Sequence, residues 1–202
     1  MSTTDLSDQA LVAKAREGDK SAFDALVLRY RAQAILVAQG VLRNFELAKD
    51  ASQDAFVKAY FGLKHFREAA NFKTWLFKIV LNEARDVYRR EKARGLFKFQ
   101  NTRETDEGEE SVLGVIPSGG ASPREVFEMQ ETKKQLERAI YRLPERERDV
   151  FILRYLNGFA LSEAAETLGM AVGTVKAHLA HGTGRLRTML LAPAQPVNQA
   201  GR

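Results

Sequence analysis

The sequence predicts an all-α protein of two small helical domains joined by a flexible acidic linker. Apolar residues recur at spacings of three and four on both sides of the chain, and no segment of useful length alternates with period two. The segment between them is rich in Gly, Ser and acidic residues. The 202 residues suffice for two small domains. We predict domains at residues 1–94 and 125–190, a linker at 95–124 and a disordered tail at 191–202.

Three amphipathic helices are predicted in the first domain. Gly18 and Asp19 are typical of a helix end followed by an N-cap. The next helix carries its apolar residues on one face: Ala22, Phe23, Leu26, Val27, Tyr30, Ala34, Val37 and Val41. A second helix extends from about Ala48 to Leu63, and a third from about Phe72 to Arg94. The spacing of Trp75, Leu76 and Ile79 places all three in the core.

The C-terminal domain contains a helix-turn-helix pattern. Pro144 is predicted at the first position of a helix that ends at Gly158. Residues 159–181 then read FALSEAAETLGMAVGTVKAHLAH, which gives a helix at 161–168, a turn from Gly169 and a second helix. The residues expected to form its small core are Leu161, Leu168, Val172, Val175 and Leu179. A plain helical hairpin is the alternative. Gly182 and Gly184 predict that the second helix frays or ends there.

The basic residues are concentrated in the two predicted domains. The net charge of +5 is the sum of +5 over residues 1–94, −3 over 95–122 and +3 over 123–202. This excess permits a polyanionic partner. The acidic run DEGEE at 106–110 is interpreted as a solvated stretch, and the alternative is that it competes with DNA for the basic domains.

Several function classes are excluded by what the sequence lacks. There is no cysteine, so disulfides, thiol nucleophiles and thiolate zinc sites are excluded. There is no Walker-type glycine loop, nucleophile elbow or convincing metal cluster, and His178 with His181 would be a poor site without a third ligand. We therefore expect no enzyme, cofactor or metal. No apolar run approaches the ~18 residues that span a bilayer, and the N-terminus MSTTDLSDQ is unlike a secretory signal, so no membrane insertion is expected.

Residues 66–94 interleave aromatic and cationic side chains, as unpaired bases require. The loop Arg67–Asn71 is placed to form the wall of a base pocket. We favour a nucleic-acid role for Lys73, Lys78, Arg85 and Arg89 on the face opposite the core. The alternative is an amphipathic helix with a solvated basic face.

Three motifs together resemble one family. DASQDAFVKAY (50–60), FKTWLFKIVLNEARDVYRR (72–90) and LPERERDVFILRYLNGFALSEAAETLGMAVGTVKAHL (143–179) are similar to bacterial RNA polymerase sigma factors of the sigma-70 family, extracytoplasmic-function (ECF) subfamily. The resemblance extends from about Leu6 to Leu190. It implies a sigma-2-like bundle and a sigma-4-like helix-turn-helix domain. It also implies a cytoplasmic, non-enzymatic factor that directs promoter recognition, DNA melting and transcription initiation at a restricted set of stress or envelope-response promoters.

The resemblance implies a role for individual residues. Contacts to the β′ clamp coiled coil of core polymerase fall on Asp50, Gln53, Asp54, Phe56 and Lys58, with Phe56 supporting the helix from the core. Contacts to the −10 element fall on Phe66, Arg67, Asn71, Phe72, Lys73, Lys78, Asn82, Arg85, Tyr88 and Arg89. Contacts to the −35 element fall on Thr174, Lys176, Ala177, His178, Ala180, His181 and Arg185. The β flap is a second polymerase contact, and an anti-sigma factor at the inner membrane face is an expected partner.

The sequence departs from the family at a few positions. Glu68 and Ala69 stand where many relatives have a glycine, and Ala177 stands where a serine is common. Gly182 and Gly184 interrupt what is often an arginine-rich run. We therefore expect the docking mode to follow the family more closely than its usual GGAAC-like −35 preference. Two other interpretations remain at this stage: a helix-turn-helix regulator that never joins core polymerase, and an enzyme with a helical DNA-binding appendage.

Overall fold

A computed structural model describes residues 6–66, 71–94 and 122–191, and every regular element in these residues is helical. The all-α prediction is confirmed. The helices are α1 (Asp8–Arg16), α2 (Lys20–Leu42), α3 (Phe45–Gly62), α4 (Phe72–Ala93), α5 (Pro123–Arg142), α6 (Glu145–Phe151), α7 (Leu161–Leu168) and α8 (Val172–Leu191). The predicted contact Arg67, the DEGEE run and tail residues 192–202 lie outside the described residues.

The first four helices each begin at a side-chain cap. Asp19 accepts hydrogen bonds from the backbone N–H groups of Ser21 and Ala22, as the sequence predicts, and Gly18 before it has φ +99°. Ser7 caps α1, Asn44 caps α3 and Asn71 caps α4 in the same way. Because the unpaired N–H groups of a first turn need acceptors, these residues fix where each helix begins.

Helix α2 is the centre of the N-terminal bundle. It packs against α1, α3 and α4, and Ala22, Leu26 and Ala34 on its inner face are fully buried. By length and composition alone α2 could cross a bilayer, but 56% of its most apolar window is buried inside the fold. Its apolar character is therefore accounted for by the core.

Helix α4 packs an apolar face against α2 and α3. Leu76, Phe77 and Val80 are fully buried, which confirms the core position of Leu76. Trp75 and Ile79 are partly buried and pack against the same core. Each fully buried side chain of this size contributes roughly 1.5–3 kcal/mol relative to exposure.

Helix α5 was not predicted. Its N-terminus is a capping box in which Ser122 accepts from the Glu125 N–H while the Glu125 carboxylate accepts from the Ser122 N–H. The helix begins at Pro123, inside the segment predicted as linker. The next helix, α6, begins one residue after Pro144 and continues as a π-helical turn at Ile152–Leu156.

The helix-turn-helix is present, with two corrections to its details. Helix α7 ends at Gly169, whose φ of +65° is the left-handed turn that favours glycine. Val175 is fully buried as predicted, but Val172 is 39% exposed at the first position of α8 and so is not part of the small core. The expectation that α8 frays at Gly182 is wrong. Helix α8 continues through both glycines to Leu191, and at Gly182 it packs against α6, where a Cβ would lie in ordinary contact with the Glu147 Cβ at 3.4 Å.

The C-terminal helices pack on the N-terminal bundle. Helix α4 contacts α7, and α2 contacts α6 and the π-helical turn. The Phe77 and Phe159 rings meet edge to face at 5.0 Å between centroids. At Gly40 a Cβ would lie 2.1 Å from the Ile152 Cδ1, so α2 approaches the π-helical turn through a glycine.

Candidate polymerase and nucleic-acid interfaces

One face of α3 carries both acidic and apolar side chains. Asp50, Gln53 and Asp54 are exposed. Because Gln53 and Asp54 lie three and four residues after Asp50, all three are on one face of the helix. The same face continues with Val57 and Phe61, which are 55% and 71% exposed. We call these five residues the α3 surface. Large exposed apolar side chains next to acids are typical of a protein-binding surface.

An open groove of about 1580 Å³ borders the α3 surface. Helix α2 forms one wall, with Val27 and Leu36, and helix α3 forms another, with Val57 and Phe61. Tyr155 of the π-helical turn lies at its end. Both halves of the chain therefore line one concave apolar surface.

The two other residues predicted on this helix serve the fold. Phe56 is buried, as expected for a residue that supports the helix from the core. The Lys58 ammonium forms an ion pair with Glu83 of α4, a buried carboxylate that lies 3.7 Å from the Arg90 guanidinium. Because a buried carboxylate needs a charged partner, Lys58 has a structural task in joining α3 to α4.

The aromatic residues before and within α4 form one cluster. The rings of Phe66 and Phe72 lie 5.9 Å apart, and the Trp75 ring lies 5.0 Å from Phe66 and 5.8 Å from Phe72. Phe66 and Phe72 are buried and Trp75 partly so. The three rings therefore form a packed cluster at the start of α4.

The outer face of α4 carries a polar stripe. Lys78, Asn82 and Arg89 are exposed, and with Arg85 they follow the spacing of a single helical face. Arg89 forms an ion pair with Asp86 one turn away, and Tyr88 beside it is half-buried. This stripe brings together four residues that the sequence assigned to nucleic acid.

Three residues predicted to bind DNA contact the C-terminal half of the chain. The Arg85 guanidinium lies 2.5 Å from the Asp149 carboxylate and 3.3 Å from that of Glu145. Lys73 lies 3.4 Å from the Glu163 carboxylate and 3.9 Å from the centre of the Phe159 ring. The Asn71 side-chain amide donates to Glu163 at 3.5 Å. The sequence could not reveal these contacts, because each joins residues at least 60 positions apart.

Asp149 is the most buried acid at this contact. Burial raises the pKa of its carboxyl, while the neighbouring Arg85 and Arg148 guanidinium groups act in the opposite direction. Only one side of the ion pair is solvated, because the Arg85 side chain keeps 25% of its surface exposed and that of Asp149 only 1%. Such a pair holds its geometry tightly but adds little net stability.

The exposed face of α8 contains most of the residues predicted for the −35 element. Thr174, Lys176, Ala177, Ala180 and His181 are exposed, and His178 is half-buried. Val175 holds this helix against α7 from the opposite face. An exposed helix face braced by a preceding helix is the arrangement that enters a major groove.

Arg185, the last residue of that set, points toward α6. Its guanidinium lies 3.1 Å from the Glu147 carboxylate, next to the place where Gly182 meets α6. The contact braces α8 against α6. A phosphate contact by Arg185 would have to compete with this ion pair.

Two features of the structure were not predicted from the sequence. Val57 and Phe61 were not assigned, although their spacing from Asp50 and Asp54 repeats one helical face. Arg43 ends α2 with φ +54°, donates to the Tyr141 carbonyl and lies 5.1 Å from the Tyr141 ring. Burial lowers the pKa of its guanidinium. Nothing local in the sequence signals a contact with a helix so far along the chain.

Comparison with known proteins gives two family matches. Residues 26–94 match the model of sigma-70 region 2, and residues 133–186 match that of sigma-70 region 4. The RNA polymerase sigma-H factor of Pseudomonas aeruginosa is 30% identical over 87% of this chain and 90% of its own length. The ECF RNA polymerase sigma-E factor of Haemophilus influenzae is 31% identical over 95% of this chain and 97% of its own.

Two solved structures are also similar to this chain. CnrH in complex with the cytosolic domain of CnrY has a TM-score of 0.64 and 26% identity, covering 91% of this chain and 96% of that one. The sigma factor RpoE in complex with the anti-sigma factor NepR, from Bartonella quintana, has a TM-score of 0.60 and 25% identity, covering 83% and 96%.

These matches favour a sigma factor over a helix-turn-helix regulator that never joins core polymerase. A regulator that acts without core polymerase would not require a region 2 domain, and the family is not catalytic by itself. Sigma factors are cytoplasmic proteins whose partners are core RNA polymerase, promoter DNA and anti-sigma factors. The protein therefore belongs to the sigma-70 family, in its ECF group, and it is a sigma factor that directs RNA polymerase to promoters.

Proposed function

We propose that the chain joins core RNA polymerase through the α3 surface, at the β′ clamp coiled coil. Asp50, Gln53 and Asp54 supply a polar, acidic rim that suits a basic partner, and Val57 with Phe61 supplies the apolar centre. Binding energy concentrates at large apolar side chains that lose water on contact, so Phe61 is the expected anchor.

Each part of the chain has its own proposed role. Residues 1–94 bind core polymerase and the −10 element, residues 95–124 link the domains, and residues 125–190 bind the −35 element. The β flap is proposed to contact α5, where Phe127 and Met129 are exposed. The chain itself is proposed to catalyse no reaction.

At the −10 element the proposal assigns the polar stripe of α4 to the DNA strand. Lys78 and Arg89 neutralise phosphates, and Asn82 between them reaches the junction with the upstream duplex. The Phe66, Phe72 and Trp75 cluster, with Arg67, forms the wall of a pocket for an unpaired base. Capture of that base offsets unstacking, which costs a few kcal/mol.

At the −35 element the proposal assigns α8 to the major groove. Lys176 is placed for a guanine edge or a phosphate, and the exposed His181 lies five residues, about 1.4 helical turns, further along α8. Ala177 and Ala180 between them present only methyl groups, which contact the thymine methyl group rather than hydrogen-bonding bases.

An anti-sigma factor is proposed to cover the groove beside the α3 surface. Two of its structural neighbours support this: CnrH was solved with the cytosolic domain of CnrY, and RpoE was solved with the anti-sigma factor NepR. A partner in that groove would block the surface proposed for core polymerase. The proposal places this partner at the inner membrane face, so that release answers a stress or envelope signal.

The observation that carries this proposal is that one chain presents three separate exposed faces, on α3, α4 and α8, each with the residue types its target requires. Run-off transcription with purified core polymerase on a mapped promoter tests it. The double variant Lys78→Ala with Arg89→Ala should reduce run-off product at least tenfold while still joining core polymerase. Lys14→Ala, an exposed cation on α1, is the matched control and should leave product unchanged. Full activity of the double variant would remove α4 from the −10 assignment.

A further inference from the structure

Helix α8 has little fixed charge on the half that the proposed function places in the major groove. Between Val172 and Gly184 the sequence contains one permanently charged side chain, that of Lys176. Arg185 follows, but its guanidinium lies 3.1 Å from the Glu147 carboxylate. Because a DNA-binding helix gains much of its affinity by neutralising phosphates, a single lysine leaves this contact short of positive charge.

Two imidazole rings lie on the same half of α8. His181 is exposed and follows Ala177 by four residues and Thr174 by seven, so these three side chains share one face of the helix. His178 is half-buried and lies three residues before His181, about one turn away. Within the described part of the chain, neither histidine side chain forms an ion pair or a hydrogen bond. Both rings are therefore available to DNA.

The charge of an imidazole depends on what it contacts. Histidine is the side chain whose ordinary charge change falls between about pH 5 and 8. The neutral ring has one N–H donor, whereas the imidazolium ion has two donors and a positive charge. A phosphate within about 4–6 Å favours the charged form. A complex of α8 with DNA should therefore hold protons on these rings that the free chain releases near neutral pH.

The helices packed against α8 carry charged groups of their own. Apart from the exposed Glu166, the acids of α6 and α7 are paired with cations: Glu147 with Arg185, Glu145 and Asp149 with Arg85, and Glu163 with Lys73. The charged groups of α5 after its second turn are Glu131, Lys133, Lys134, Glu137, Arg138 and Arg142, and α6 adds Arg146 and Arg148. Ordinary carboxyl, ammonium and guanidinium groups keep their charge between about pH 6 and 8. Burial raises the pKa of the Asp149 carboxyl, so its titration has to be separated from that of the two imidazoles.

We propose that α8 binds the −35 element with proton uptake, in which His178 and His181 become imidazolium ions against DNA phosphates and binding strengthens as the pH falls. The proposal rests on the proposed −35 role of α8. Because the complex holds more protons than the free chain, affinity rises as the pH falls and becomes constant once the rings of the free chain are charged as well. If DNA moves the protonation midpoint of one imidazole by about one pH unit, affinity changes about tenfold.

Fluorescence anisotropy with the full chain and a labelled −35 duplex tests the proposal, with titrations between about pH 6 and 8 at constant ionic strength. We expect the parent chain to bind about tenfold more tightly at the lower pH. His178→Lys with His181→Lys keeps both charges at every pH, so its affinity should change less than about twofold over the same range. His178→Gln with His181→Gln removes both charges and should bind about tenfold more weakly than the parent chain at the lower pH, again without pH dependence.

The chain offers a matched control and a second measurement. It has three histidines, and the third, His65, is exposed at the end of the short helical turn after α3. His65→Gln should therefore keep the pH dependence of the parent chain. Lys176→Ala should weaken binding by the same factor at both ends of the pH range. In the parent chain, the dependence of log affinity on log salt should be steeper at the lower pH, by about 0.9 for each imidazolium that meets a phosphate.

Each outcome separates the proton linkage from the proposed function. A pH dependence that persists in His178→Lys with His181→Lys belongs to another group, such as Asp149, and refutes the proposal. Parent affinity that stays constant between about pH 6 and 8 refutes it as well. In that case weaker binding by Lys176→Ala would still support the −35 role of α8. No binding to the −35 duplex at any pH would refute that role, and the proton linkage with it.

Discussion

The packing of Phe77 on Phe159 gives the sharpest prediction about this fold. Both rings are fully buried, and their centroids lie 5.0 Å apart although the residues are 82 positions apart in the sequence. Phe77→Ala removes the ring from the N-terminal core and from the domain interface at once. Buried Phe→Ala changes cost about 3–5 kcal/mol, so we expect a loss of about 4 kcal/mol in the free energy of unfolding.

Urea denaturation followed by far-ultraviolet circular dichroism measures that loss, and a thermal melt should show it as a fall of about 8–16 °C in Tm. Phe127→Ala is the control, because this ring is 64% exposed on α5, and its change should stay within about 0.5 kcal/mol.

A double-mutant cycle separates the interface from the two cores. If the rings touch in solution, Phe77→Ala and Phe159→Ala together should cost about 1 kcal/mol less than the sum of the two single changes. Additivity within about 0.3 kcal/mol would refute the reasoning, because it would mean that each ring stabilises only its own domain.

Three further predictions concern the other surfaces. Asp50→Lys with Asp54→Lys should weaken binding to core polymerase at least tenfold in a pull-down titration; unchanged affinity would remove the α3 surface from the proposal. Lys176→Ala should lower affinity for a −35 duplex by about 1–3 kcal/mol in gel-shift titrations. An equal loss on every duplex would identify Lys176 as a phosphate contact. Asp19 has a pKa lowered chiefly by its hydrogen bond with the Ser21 hydroxyl. Its capping contribution is thus present above its ordinary pKa and lost as the pH falls through the lowered one, so Asp19→Asn should reduce the acid sensitivity of unfolding.

Much of the fold was predictable because its signals are local. The period of the apolar residues predicted α2, α3, α4 and the helix-turn-helix, and Asp19 and Gly169 marked helix ends where the structure has them. Helix α5 was missed although its capping box is local too, because Ser122 and Pro123 stand at the end of a segment whose composition resembles a linker. The prediction from Gly182 was wrong because helix propensity is only a weak preference, and the packing of α8 against α6 outweighs it.

The candidate sites, like the fold, were predictable only in part. The exposed faces of α3 and α8 follow from helical spacing, so Asp50, Asp54 and Lys176 lie where the sequence predicts an exposed side chain. Spacing alone does not tell an outward cation from one that meets a distant acid. Three cations show this: Lys58 on α3, Arg85 on α4 and Arg185 on α8. Helical spacing assigns each to a binding face, yet each forms an ion pair with another helix.

By itself the sequence determined the helical class, the order of the motifs and the family they resemble, because each depends on residues a few positions apart. Only the tertiary structure decided which of those residues form ion pairs with distant parts of the chain. It brought Asp149 to Arg85 and Glu163 to Lys73, and so paired two cations of α4 with acids of the C-terminal half. The physical reason is that an ion pair depends on distance in space, and a distance across 64 or 90 positions of chain is fixed only by how the helices pack.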